Sequence, residues 1–427
     1  MRSIRAERFG RVSNWTFMPS SISAAIGLTE HRDLRGGCPC WTADDDTTLT
    51  SDPLPAGAVD VAIIGAGAVG AMLADRLTAQ GRSVVLLDRR PPAHGSTAAS
   101  TALVMWAADV PLTHLAKEIG EAEAARRWRR VYRAMRDLAE HIDTTGVDCS
   151  RIDRPELYLA GNLLDDAALL AEGEMRARHG LPSVFLDAST VADRFGIAPR
   201  GALLSDGCYE VDPVRLTLGL LHRARSHGAA IHFPCDAVGI EGNTLIIDSG
   251  ARVRAGEIIL ATGYERAAWF VPPAFTVGSS YAIATAPGTA PLWREGAMIW
   301  EASTPYLYTR ATADGRVIAG GEDEDFADAR RRDALIAEKS GTIAGKLAAM
   351  IAVPDVAIDC AWSAAFGGSP DGLPAIGRAA NHGHLWLAGA FGGNGVSFAA
   401  LAADLIAGEL AGEPDADAAC FDPYRFG

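Results

Sequence analysis

Apolar residues in this chain fall into short unbroken runs and longer stretches with helical spacing, and the two alternate. Val59 to Ile64 is a short run rich in β-branched side chains, and Val84 to Leu87 is a second. Runs of this length bounded by turn formers predict buried strands. Between them Ala71, Met72, Leu73, Ala74, Leu77 and Ala79 keep helical character up to Gly81. Residues 113–143, Asp165 to His179 and Ser189 to Phe195 predict further helices, with Pro155 to Gly161 a strand among them. Asp212 followed by Pro213 marks a helix start: the carboxylate can accept from the first free N–H groups, and proline fits the first turn. That helix runs to about His227 and stops at Gly228, and strands follow at Ala229–Phe233, Val238–Ile240, Thr244–Asp248 and Glu257–Ala261.

The pattern then changes. Tyr281–Ala286, Met298–Trp300, Tyr306–Arg310 and Val317–Gly321 are strand-like pieces without helices between them, which predicts a mostly antiparallel sheet; a helix over 328–350 closes it. The first pattern returns with a strand at Leu385–Ala388, a glycine-rich turn from Gly389 to Gly395 and a helix from Val396 to Leu410. This return predicts an α/β fold whose dinucleotide-type domain is discontinuous, with segments at 58–145, 205–263 and 356–413. A second, α+β domain takes 146–204 and 264–355. Residues 1–57 form an arm and 414–427 a tail. In the arm Trp15, Phe17, Met18 and Trp41 are apolar enough to dock on the body, over an active-site mouth or a partner; a poorly ordered extension is the alternative.

The stretch from Val59 to Arg90 carries the clearest chemistry. It reads as strand, Gly65-Ala66-Gly67-Ala68-Val69-Gly70, helix and second strand, ending in Asp88. Gly65 permits the tight turn, Gly67 lets backbone approach a pyrophosphate, and Gly70 lets the helix pack close to the strand. The helix N-terminus offers free N–H groups and partial positive charge to the phosphates. Asp88 stands where a carboxylate meets ribose hydroxyls, and it disfavours a 2′-phosphate, although Arg89 and Arg90 follow. A lone glycine motif is weak, and its bland reading is an α/β domain whose glycines merely close turns. Here both strands, the helix and the acidic end accompany it.

Composition narrows the field. The net charge of −14 argues against nucleic acid and anionic membrane surfaces as main partners. The seven cysteines are scattered, and Cys38 and Cys40 lack the second pair of a structural zinc site, so reduced thiols in a cytoplasmic protein are expected and no metal is assigned. No apolar stretch is long enough for a transmembrane helix. The small and hydroxyl residues from Gly95 to Ala102 suit close approach to a flat ligand.

Taken together, GAGAVG with Asp88, the GSTAASTA segment, YEVDPVRLTLGLLHRARSHGA, the ATG at 261–263 and DGLPAIG…LWLAGAFGGNGVSFAALAADLIAGEL resemble the FAD-dependent amine and amino-acid oxidoreductases that include D-amino-acid oxidase, glycine oxidase and sarcosine oxidase. The run at 306–323 looks like the γ-glutamylputrescine oxidase-like branch. The resemblance spans residues 59 to 413 and is specific for cofactor and fold, less so for substrate. It implies a Rossmann-like FAD-binding domain and an antiparallel substrate domain. By position, Gly65, Gly67, Ala68, Val69, Gly70, Asp88, Arg89 and Arg90 look like the ADP-binding set, and Ser96, Thr97, Ser100 and Thr101 like residues along the flavin or pyrophosphate. Val238 matches the place whose backbone holds adenine. Ala261, Thr262 and Gly263 match a turn near the phosphates, and Gly392, Gly393, Asn394, Gly395 and Val396 the turn and helix start facing the flavin's N1–C2=O side. Places where some relatives attach flavin covalently carry Ala99 and Ala364 here, so the expected FAD is noncovalent.

The resemblance further implies hydride transfer from the carbon beside a neutral amine, then hydrolysis of the imine. Oxygen or another acceptor takes the electrons. A carboxylated substrate calls for a cation with bidentate geometry. Arg310 is the leading candidate, because it ends a strand at the place resembling the carboxylate-binding arginine of glycine oxidase; pairing to Glu322 or Asp323 is the bland reading. Tyr264, Tyr281, Tyr306 and Tyr308 are candidates for a polar-aromatic wall, with Tyr264 and Tyr308 assigned to the reaction site, although each alone is more often packing. His94 beside the flavin segment is read as a loop histidine. Relatives often carry an arginine where this chain has Phe366-Gly367-Gly368, which weakens the case for a simple α-amino acid. The alternatives are a dehydrogenase passing electrons to a protein or quinone, and a non-catalytic FAD-binding subunit; an NAD-dependent enzyme would lack the GAFGGNGVSF block.

Overall fold

The computed structural model describes residues 21–22, 28–41, 48–267 and 269–427. Trp15, Phe17 and Met18 lie outside them.

Val59–Ile64 sits inside a nine-stranded sheet. It pairs in parallel with Arg252–Leu260 on one side and Val84–Leu87 on the other, and Ala230–His232 follows in parallel beyond. Leu385–Gly389 joins the far side of Arg252–Leu260, so the C-terminal segment returns to the first sheet. The central strand explains its own sequence. Val61 and Ile63 face the cluster that holds the helices Ala68–Ala79, Pro213–Ser226 and Gly395–Leu410. Ala62 and Ile64 face a second cluster with Leu245, Ile247 and Phe275. With both faces covered, every position from Val61 to Ile64 must be apolar, hence a continuous run instead of an alternation.

The Pro213–Ser226 helix starts as expected: the Asp212 carboxylate accepts from the backbone N–H of Val214 and Arg215, at 2.8 and 3.0 Å. The helix expected over 328–350 divides at Leu335 into Ala329–Ala334 and Ile336–Met350.

The second sheet has ten strands. Its order runs Arg35–Gly37, Cys360–Gly368, Thr276–Ala284, Val317–Glu324, Leu307–Ala311, Met298–Glu301, Ile152–Leu159, Ala202–Glu210 and Leu103–Val104, with Ser183–Leu186 also on Ala202–Glu210. Only the pair Met298–Glu301 with Ile152–Leu159 is parallel among these described strands. Leu103–Val104, Cys360–Gly368 and all but the first three residues of Ala202–Glu210 belong to segments the sequence assigns to the dinucleotide domain. In the two long strands small residues and glycines blur the alternation that marks a half-buried strand. The arm contributes Arg35–Gly37 to this sheet's edge.

Candidate active site

The glycine turn is built by close backbone approaches. Gly65 has φ +113°, and a Cβ there would lie 2.2 Å from the Ala261 carbonyl oxygen. A Cβ on Gly70 would lie 1.9 Å from the Gly65 carbonyl oxygen. The Ala68 N–H donates to Thr97 Oγ1 at 3.1 Å, tying the helix start to the small-residue segment. Gly67 at the N-cap has no side chain to cap the Ala68–Ala79 helix, so beyond the Ala68 bond to Thr97 the helix start stays open to a ligand. Asp88 follows the second strand and accepts from the N–H groups of Ala66 and Arg90, at 2.7 and 2.8 Å. Burial pushes its carboxyl above the usual range, against the pull of those two bonds.

A cavity of about 450 Å³ opens from this turn and runs between the two sheets. Gly65, Gly67, Ala68, Val69 and Asp88 line one end, with Arg89 and Arg90. Ser96, Thr97, Ser100 and Thr101 also line it, as do Ala261, Thr262 and Gly263, with Ala261 against Gly65. Gly392, Gly393, Asn394, Gly395 and Val396 line the other end together with Tyr264, Tyr306 and Tyr308. Residues scattered over some 330 positions of sequence thus share one cavity.

Three expected residues do not line it. Gly70 acts behind the turn through packing. Val238 sits at a register shift between Ala237 and Gly239, and the wall there is made by Cys235, Asp236 and Ala237 instead. Arg310 is the clearest correction. Its side chain shares the face of Tyr306 and Tyr308 by the two-residue period of the strand. It lies deeper, 1% exposed, behind Thr101. Its Nε donates to the Thr101 carbonyl at 2.6 Å, Nη2 to the Val211 carbonyl at 2.8 Å and Nη1 to the Ala311 carbonyl at 3.1 Å. Glu210 stands 3.4 Å from it, and the Trp41 ring covers its guanidinium at 5.3 Å. With its donors engaged by the protein, Arg310 has no fork to offer a substrate carboxylate.

Tyr281 lines the cavity as expected, but mostly from behind. Its ring packs with Ile343 and Leu347 under the Ile336–Met350 helix, with the Lys339 ammonium 5.6 Å from its centroid. The aromatic wall gains members that sequence reading missed, Trp362 among them. Tyr158 and Trp300 both line the cavity and stack at 4.1 Å and 21°. Asp109 is missed too. It lies just before Val110-Pro111 and the Leu112–Ile119 helix, where an acid reads as a helix-start residue. Its carboxylate accepts from the Gly393 N–H at 2.8 Å, at the start of the Gly395–Leu410 helix. Its exposed surface is cavity wall, and burial pushes its carboxyl up to about 6. The Asn394 side-chain amide donates to the Ala107 carbonyl and Ser397 Oγ to the Met105 carbonyl at 2.7 Å, fastening this helix start to the 105–109 segment.

The arm reaches the cavity as well. Thr29 and Leu34 line it, and Trp41 Nε1 donates to the Ser100 carbonyl at 2.7 Å. At the nucleotide end Glu265 binds both Arg89 and Arg90, and accepts from the Arg32 N–H at 3.1 Å.

The arrangement fits a dinucleotide with a flat ring system. Ser96 Oγ and Arg89 Nε are buried in the wall residues without a partner, as donors awaiting an oxyanion would be. Gly67 leaves the backbone open to the cavity: a Cβ there would meet only Thr97 Oγ1, at 3.0 Å. Comparison with known proteins agrees. No protein of curated function matches the sequence. Among solved structures, glycine oxidase from Geobacillus kaustophilus superposes with TM-score 0.71 at 20% identity, over 86% of this chain and 99% of that one. L-proline dehydrogenase from P. horikoshii gives 0.71 at 18% identity, over 86% and 98%. Iminodiacetate oxidase from Chelativorans sp. BNC1 gives 0.64 at 23% identity, over 83% and 96%. These likenesses are of fold. The family model of the FAD dependent oxidoreductases matches residues 60–409, and the chain belongs to that family.

Proposed function

We propose that this protein oxidises the C–N bond of an amine or amino acid with a noncovalently held FAD. The observation that carries the reading is the single cavity joining the Gly65–Asp88 cradle to an aromatic end at a helix N-terminus. FAD would supply the two-electron acceptor; the protein binds, orients and tunes. The start of the Ala68–Ala79 helix would take the pyrophosphate, Asp88 the ribose, and Ser96, Thr97, Ser100 and Thr101 the middle of the cofactor. The N-terminus of the Gly395–Leu410 helix would favour the negative charge that builds up on a reduced flavin, through N–H groups other than that of Gly393, which donates to Asp109. Alanines at 99 and 364 leave no nucleophile for covalent attachment at those two places.

The substrate loses a hydride from carbon and a proton from nitrogen, and water converts the resulting imine to a carbonyl compound and a freed amine. Tyr264 and Tyr308 line the substrate end, and burial pushes both phenols up to about 12. They therefore stay neutral near pH 7; the Tyr264 hydroxyl donates to the Ala390 carbonyl at 3.4 Å, and Tyr308 would be the hydrogen-bonding phenol that orients substrate. The solved relatives described above are named for glycine, L-proline and iminodiacetate, all amino compounds.

The test is an anaerobic absorbance scan of the purified protein against amines and amino acids, followed by air. Loss of the oxidised-flavin band identifies a substrate. Fast recovery in air with peroxide marks an oxidase, and slow recovery a dehydrogenase with another acceptor. A preparation that releases no FAD on denaturation would sink the reading.

A further inference from the structure

The aromatic end of the cavity carries negative charge and, among the described residues that line it, no cation. The cavity's cationic lining residues are Arg89 and Arg90, both at the nucleotide end and both held by Glu265. At the other end Tyr158, Trp300, Tyr306 and Tyr308 surround the Asp109 side. The Asp109 carboxylate has one bond, from the Gly393 N–H, and the charge that acts on it is another carboxylate, Asp323. Asp323 stands behind the wall and accepts from the Tyr306 phenol at 2.7 Å. The Ser280 hydroxyl also acts on this carboxylate. The ammonium that acts on Asp323, Lys339, is engaged by Glu324 at 2.5 Å. Glu301, also in the wall, is satisfied by Arg200 and by the Leu307 N–H at 3.0 Å.

We propose that this end of the cavity is a cation site, and that the substrate is an amine bearing a separate positive charge and no carboxylate, of the diamine class. The inference rests on the amine-oxidation reading above and narrows it. A carboxylate facing the cavity without a counter-ion attracts a substrate cation. The electron-rich faces of Tyr and Trp rings attract the same cation. A carboxylated substrate would instead add an anion beside Asp109 and Asp323, and Arg310 is turned away. The net charge of −14 also draws cations towards the protein.

Three primary amines of matched length separate the cases in the FAD-loaded protein: 3-aminopropyl-trimethylammonium, butylamine and 4-aminobutanoate. Their anaerobic flavin-reduction rates are compared. Calorimetry with butane-1,4-bis(trimethylammonium), which cannot be oxidised, reads binding without turnover. The expected order is cationic tail, then neutral, then carboxylate, with about tenfold or more between the first and last, the size of one good charge pair. Asp109→Asn, and independently Asp323→Asn, should shrink that ratio and weaken the bis-quaternary probe about fivefold or more. Equal or better use of 4-aminobutanoate, no binding of the probe, or an unchanged ratio in both variants overturns the inference. Reduction by amino acids without probe binding would leave C–N oxidation standing and remove only the substrate class. Probe binding with no reduction by any amine would do the reverse.

Discussion

Gly70 and Gly67 belong to one motif yet guard different things. A Cβ on Gly70 would meet the Gly65 carbonyl at 1.9 Å, and that oxygen is backbone in a packed turn, so it cannot step aside cheaply. Gly70→Ala should destabilise the cofactor-free protein by about 2 kcal/mol or more, the range of overpacked sites. A Cβ on Gly67 meets only Thr97 Oγ1 at 3.0 Å, a rotatable hydroxyl, but it projects where the cofactor must approach. Gly67→Ala should leave the cofactor-free Tm within about 2 °C of the parent while weakening FAD binding about tenfold or more. Thermal melts of stripped protein beside FAD titrations check both; equal effects on Tm would remove the division of labour. At this scale the sequence was readable because the motif is local: the spacing of Gly65, Gly67, Gly70 and Asp88 encodes one turn. Arg310 shows the limit. Its place at a strand end suggested a substrate cation, but its depth behind Thr101 depends on Trp41 and Val211, which are distant in sequence.

Among the elements, the arm has the most to add. Apolar content alone left docking and disorder equally open. The described segment 28–41 docks: its Arg35–Gly37 strand pairs with Cys360–Gly368, and the Ala365 N–H donates to the Leu34 carbonyl at 2.8 Å. Leu34 is buried, lines the cavity and packs close to Gly95, where a Cβ would lie 3.2 Å from its Cδ1. Leu34→Ala should cost about 2 kcal/mol, the low end for a buried leucine because part of its surroundings is cavity. It should also speed FAD loss, since the side chain is part of the wall that holds the cofactor in. Chemical denaturation and the rate of flavin fluorescence appearing after dilution measure the two. A normal release rate would reduce the arm to a purely structural edge strand. The strands Ala202–Glu210 and Cys360–Gly368 escaped the sequence for a related reason. Their place in a sheet is fixed by partners far along the chain, while their small residues carry little alternation of their own.

For the molecule as a whole, the cavity is where the two sheets meet. Gly65 and Ala261 bring the nine-stranded sheet to it, and Ser280, Tyr306 and Trp362 bring the ten-stranded one. A ligand that touches both walls stabilises both, because any opening that separates the sheets must first release it. Cofactor at a hundred times its dissociation constant adds about 2.7 kcal/mol to the native state if the unfolded chain does not bind it. FAD loading should therefore slow amide hydrogen exchange in residues 59–100 and also in 276–284 and 360–368, although only the first stretch carries the dinucleotide motif. Protection confined to 59–100 would mean that the ten-stranded sheet opens independently and that the cavity is closed by one layer alone. Protection in both would explain why site residues are spread from the arm to the Gly395–Leu410 helix: the chain must leave and re-enter each sheet to put walls on two sides of one cofactor.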